Sequence, residues 1–124
     1  MLKTGNAPEK TMKIIKLFTG KDNHSHFEEI DTGPTTKEIL GYYSHKFQVS
    51  EMMFRDFEPG AFFDWHNAPQ CQYIVYLEGE VEVQTSSEKR VFKPGDVLFA
   101  TDLTGKGHIS KTLTYGKSLI IKQT

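Results

Sequence analysis

The sequence predicts an all-β protein with a sandwich or closed-barrel architecture, on three observations. Short β-type runs follow one another with turn residues between most of them, two Pro-Gly turns each launch a strand, and no long amphipathic helix competes. The runs are Lys13 to Phe18, Phe47 to Phe57, Phe62 to His66, Gln72 to Glu78, Glu80 to Thr85, Arg90 to Phe92, Asp96 to Thr101, His108 to Leu113 and Ser118 to Lys122. Thr35 to Leu40 is the one stretch expected to be helical, for a turn or two. In Glu58-Pro59-Gly60-Ala61 and Lys93-Pro94-Gly95-Asp96, proline fixes one φ and glycine accepts the positive φ that follows, the chemistry of a type II turn. A histidine comes after each, His66 and then His108, so the chain reads as two similar halves.

At 124 residues the chain suits one domain, expected over residues 12–124, after a polar leader at 1–11 that has no apolar period. Fifteen Lys and Arg against sixteen Asp and Glu leave a formal charge of −1, so no bulk field draws nucleic acid or anionic lipid. Apolar runs such as Ile74 to Leu77 are strand-sized, too short to span a membrane as a helix. The first residues lack a secretory core and Cys71 has no partner cysteine, which makes the cytoplasm the expected compartment.

From Gly60 to Gly79 the chain keeps the spacing G-x5-H-x-H-x3-E-x6-G, with Gly60, His66 and Gly79 in place, Ala68 at the second histidine and Gln72 at the glutamate. This stretch resembles the first motif of the cupin superfamily. The second motif is looser, with Gly95 at its start, His108 as its histidine and a longer approach through Asp102 to Gly107. Asp64 to Pro69, together with Thr104 to His108, is similar to a bacterial subgroup of small cupins. The resemblance implies a double-stranded β-helix, or jelly-roll barrel, with His66, Gln72 and His108 together on its inner wall and Asp64 and Tyr76 beside them. Members with the full motif hold a divalent metal through three histidines and a glutamate. Here the metal ligands would be His66, His108 and neutral Gln72, with Asp64 as the carboxylate that completes a two-histidine set.

Alternation along strands puts Asp64 on the face of His66, and Gln72, Ile74 and Tyr76 on one face of the next strand. Imidazoles titrate near neutral pH and move protons with or without metal, so His66, His108 and Tyr76 are the candidate catalytic residues, with Asp64, Gln72 and Lys106 as ligand contacts. Lys106 lies in Thr104-Gly105-Lys106-Gly107, which lacks the first glycine of a phosphate-binding loop but can bring an ammonium to a pocket mouth. The expected function is binding, and in one reading isomerase-like transformation, of a small polar metabolite. A non-catalytic binding or sensory module is the alternative, and a filled barrel acting as a structural dimer, with Phe54 or Phe62 inside, a third. Metal assistance stays open. His24, His26 and Glu28 alternate like metal ligands but read better as surface. Trp65 and the outward Tyr73, Val75 and Leu77 need cover, for which a homodimer is expected.

Overall fold

The computed structural model describes residues 12–124; the leader expected at 1–11 lies outside them. The strands are β1 (Lys13–Thr19), β2 (Ser25–Asp31), β3 (Thr36–Glu38), β4 (Gly41–Tyr43), β5 (Val49–Phe57), β6 (Phe62–His66), β7 (Gln72–Glu78), β8 (Val81–Gln84), β9 (Lys89–Phe92), β10 (Val97–Ala100), β11 (His108–Thr112) and β12 (Gly116–Gln123). Two sheets form the barrel walls, one of six strands in the order β2-β1-β10-β7-β12-β5 and one of four in the order β6-β11-β8-β9. Pairing is antiparallel except between β1 and β10. No described helix is long and apolar enough to cross a membrane.

The helix expected over Thr35 to Leu40 is absent, and in its place β3 and β4 form a hairpin that turns at Ile39 and Leu40. One turn of helix gains too few hydrogen bonds to offset its nucleation, and Pro34 stands just before it. The polar strand β2 was not among the expected runs. Among the described residues it pairs with β1 alone, at the edge of its sheet, a place where a charged sequence is tolerated.

Both Pro-Gly turns form, with φ of 86° at Gly60 and 96° at Gly95. Leu17, Phe57, Ile74, Tyr76, Val81, Val83, Phe92 and Leu98 meet between the sheets as one apolar cluster, and Tyr76 stacks on Phe92 at 5.3 Å. Phe54, a candidate filler of the barrel, is 78% exposed and so stands outside it. Part of the outward apolar face is covered from within the chain, since Tyr73 stacks on Phe99 at 4.3 Å and meets Phe47 edge-on at 6.2 Å. Trp65 and Leu77 stay exposed.

Where β6 hands over to its loop, Gly107 packs against the backbone of His66 at φ 75°, and an added Cβ would collide with the His66 carbonyl. Gly107→Ala therefore imposes both an unfavourable φ and a backbone clash, and is expected to destabilise the fold by about 2 kcal/mol or more in urea unfolding. A loss under about 0.5 kcal/mol would contradict the close approach.

Candidate functional site

His66 ends β6 and His108 begins β11, and the two pair directly across the ladder. Their ring centroids lie 4.3 Å apart. Both border a cavity of about 640 Å³ between the sheets, a volume suited to a small ligand. Gln72, Ile74 and Tyr76 line it from β7, as period-2 alternation requires, and Ala68 closes one side in the place of the motif's second histidine.

Asp64 does not share this interior. From His108 to Ser110 the chain advances two residues on β11, while its partner β6 runs three, from His66 to Phe63. The extra residue is a β-bulge, and it resets which side chains face inward. Phe63 and His66 both line the cavity and stack at 3.6 Å, nearly parallel, whereas the Asp64 carboxylate turns outward to accept the N–H of Trp65. What reaches His66 from residue 64 is the main-chain carbonyl, which accepts from Nδ1 at 2.7 Å. A carbonyl only accepts, so Nδ1 carries the proton and the neutral ring keeps its lone pair on Nε2.

His108 is held by Asp102, a residue the sequence argument did not single out. Its Nδ1 lies 2.6 Å from Asp102 Oδ2, and the same oxygen accepts from Ser25 Oγ at 2.6 Å, with Asp102 and Ser25 both fully buried. Among the described residues Asp102 Oδ1 has no hydrogen-bond partner. The carboxylate is delivered by the long approach to His108. Its loop is tied down by Thr101 and Lys106, whose N–H groups donate to Leu17 and Asn23, and by the Asn67 amide, which donates to the Thr104 and Gly105 carbonyls. Lys106 is exposed on that loop and does not line the cavity. With Nδ1 engaged on each ring, neither Nε2 has a protein partner among the described residues.

Arg55 is the second residue that sequence reasoning missed. It lines the cavity from β5, donates from Nε to Ser118 Oγ at 2.9 Å, and leaves Nη2 buried without a partner among the described residues. Tyr76 is buried beside it, and burial pushes the phenol above its ordinary range, with the guanidinium partly offsetting that effect. The phenol is thus a hydrogen-bond donor at neutral pH and not a base.

The divalent metal implied by the resemblance does not fit this set. Among the described residues no three of His, Cys, Asp and Glu stand together as a metal-binding group. Gln72 brings no charge, its Oε1 already takes the Gln70 amide at 3.4 Å, Asp64 faces outward, and Arg55 adds a fixed positive charge to the wall. His24, just before β2, and His26 within it make no centre either. His24 bonds Ser86 at 2.7 Å and His26 bonds Asp22 at 2.9 Å.

Two measurements probe this geometry. Asp102→Ala strands the His108 N–H and the Ser25 hydroxyl in the interior, for an expected loss of about 3 kcal/mol in denaturant unfolding. Near-neutral unfolding behaviour would rule out the buried pair. Separately, burial holds the His66 imidazole below its ordinary value of 6.5, helped by the charge of His108, although the Asp64 carbonyl acts in the other direction. The unfolded chain then binds that proton more tightly, so stability falls as pH drops through about 6.5 and levels out below the folded value. The thermal midpoint of His66→Gln is expected to fall less steeply than wild type over that range, and equal slopes would refute the assignment.

No family model matches the chain, and no curated protein matches it. Among solved structures, a conserved protein of unknown function from Streptococcus pyogenes superposes with a TM-score of 0.50 at 12% identity, covering 67% of this chain and 69% of that one. A cupin-2 domain protein from Shewanella frigidimarina gives 0.45 at 17% identity over 64% of this chain and 80% of that one. A candidate ethanolamine utilization protein Q from Salmonella typhimurium gives 0.48 at 21% identity over 91% and 96%. At such identities the likeness concerns the fold alone. Two facing sheets in this strand order, with the Gly60-to-Gly79 frame on their walls, make that fold the cupin-type double-stranded β-helix.

Proposed function

We propose that this small cupin binds a small polar molecule in its cavity and moves a proton on it through His66. The observation that carries the reading is the imidazole pair on the cavity wall, 4.3 Å between centroids, with each Nδ1 committed to an acceptor of the protein and each Nε2 without a protein partner among the described residues. A lowered His66 pKa keeps its lone pair available near neutrality, the condition for a general base. Asp102 fixes the orientation of His108, so that its ring can hydrogen-bond the ligand beside the reacting atom, in the manner of a carboxylate-oriented histidine. Tyr76 and Gln72 serve as neutral polar contacts on the opposite sheet.

Binding without turnover is the second reading, favoured by a cavity wall that carries no carboxylate to work as a partner acid among the described residues. Ligand-observed NMR of the full chain against a library of sugars and small organic acids separates the two. Hits are expected to be lost in the His66→Ala, His108→Ala double variant. In D2O the wild type is expected to place deuterium on a carbon of a hit, and His66→Gln to lose at least about 100-fold of that rate. Hits that bind but stay unlabelled would leave a binding module, and a library without hits would sink both readings.

A further inference from the structure

Arg55, Ser118 and Tyr76 form one row across three neighbouring strands. Arg55 of β5 stands opposite Ser118 of β12, which stands opposite Tyr76 of β7. Residues directly opposite on a ladder point to the same face, and here that face is the cavity wall, to which both Arg55 and Tyr76 belong. The guanidinium lies over the Phe57 ring at 5.4 Å, bonded at Nε and, among the described residues, unpartnered at Nη2. No carboxylate lines the cavity among the described residues, and the adjacent Asp56 is paired on the exterior with Lys117 at 2.9 Å. A half-buried guanidinium without a counter-charge is costly, since it has given up water and gained no anion in exchange.

The next inward row is apolar throughout: Met53, Ile120, Ile74 and Leu98 follow one another across β5, β12, β7 and β10. Two residues further along β7 comes Gln72, at the end where β6 reaches His66. From Tyr76 to Gln72 the strand runs about 13 Å. The interior is therefore cationic and hydrogen-bonding at one end, greasy in its middle and imidazole-lined at the other.

We propose that the Arg55, Ser118 and Tyr76 row anchors the carboxylate of a small organic acid, whose apolar body lies along the Met53 to Leu98 belt toward His66 and His108. The inference rests on the reading of the cavity as a ligand site and adds the class of ligand. A carboxylate is planar and singly charged, which suits one forked guanidinium; a phosphate dianion would leave charge unmatched on a wall with one cation. The Tyr76 phenol, kept protonated by burial, is a donor suited to the same oxyanion.

Calorimetric titration of the full chain with propionate, hexanoate and benzoate, each beside its uncharged amide, and with inorganic phosphate, tests the proposal. At least one acid is expected to bind about tenfold or more tightly than its amide. Arg55→Gln should erase that difference, and Arg55→Lys, which keeps charge without the fork, should fall between. Should Arg55→Gln fail to fold, the Arg55→Lys and Ser118→Ala variants carry the same comparison. Acids and amides that bind alike, or an acid preference untouched in the Arg55 variants, would overturn the anchor while leaving the cavity reading intact. Binding of none of the acids or amides would remove both, and phosphate binding as tight as the best acid would remove the carboxylate assignment.

Discussion

The hydrogen bond from His108 Nδ1 to Asp102 Oδ2, sealed in the interior with the Ser25 hydroxyl on the same oxygen, joins three parts of the chain that are far apart in sequence. Ser25 opens the edge strand β2, Asp102 leads the long loop, and His108 opens β11 on the opposite sheet. A carboxylate out of water is tolerable only where its donors are fixed, so this contact demands that the loop, the edge strand and the second sheet be in register together. His66 inherits its place from the same arrangement, through its ladder pairing with His108 and the close passage of Gly107 over its backbone. The imidazole pair forms within the four-stranded sheet, and the loop and the opposite sheet then hold the His108 ring in place.

Hollow and filled parts of the barrel are divided by the same rows of side chains. Tyr76 illustrates the boundary, with one face of its ring packed on Phe92 and its place on the cavity wall shared with Arg55. Apolar walls supply most of the stabilisation, because buried hydrocarbon area scales directly with free energy. Polar groups on those walls are tied back to protein atoms, as the bonds of Arg55, His66 and His108 show.

Much of the frame was legible because strand chemistry is local. Alternation on β7 placed Gln72, Ile74 and Tyr76 on one wall, and both Pro-Gly turns form where the sequence puts them. Asp64 was misplaced because alternation is valid only while pairing advances one residue for one, and the bulge in β6 breaks that count. Asp102 sits in a loop, where no period reports burial. Arg55 carried a usable signal that went unread: Met53, Arg55 and Phe57 alternate together, so the inward apolar neighbours of the arginine were present in the sequence. A charged residue in a strand is ordinarily assigned to solvent, and the polar strand β2 was passed over on the same expectation.

The bulge also has a consequence for how the protein can change. Upstream of it, Phe62 and Phe63 frame the rim of the cavity; downstream, His66 is fixed by its partner on β11. The irregularity absorbs a change of direction between them and sets Phe63 and His66 on the same wall, so rim and imidazole meet through one stacked pair. Phe63 stacks on the His66 ring at 3.6 Å, so a change there reaches the imidazole as well, whereas Phe62 is a position at which the rim can be reshaped with that stack left in place.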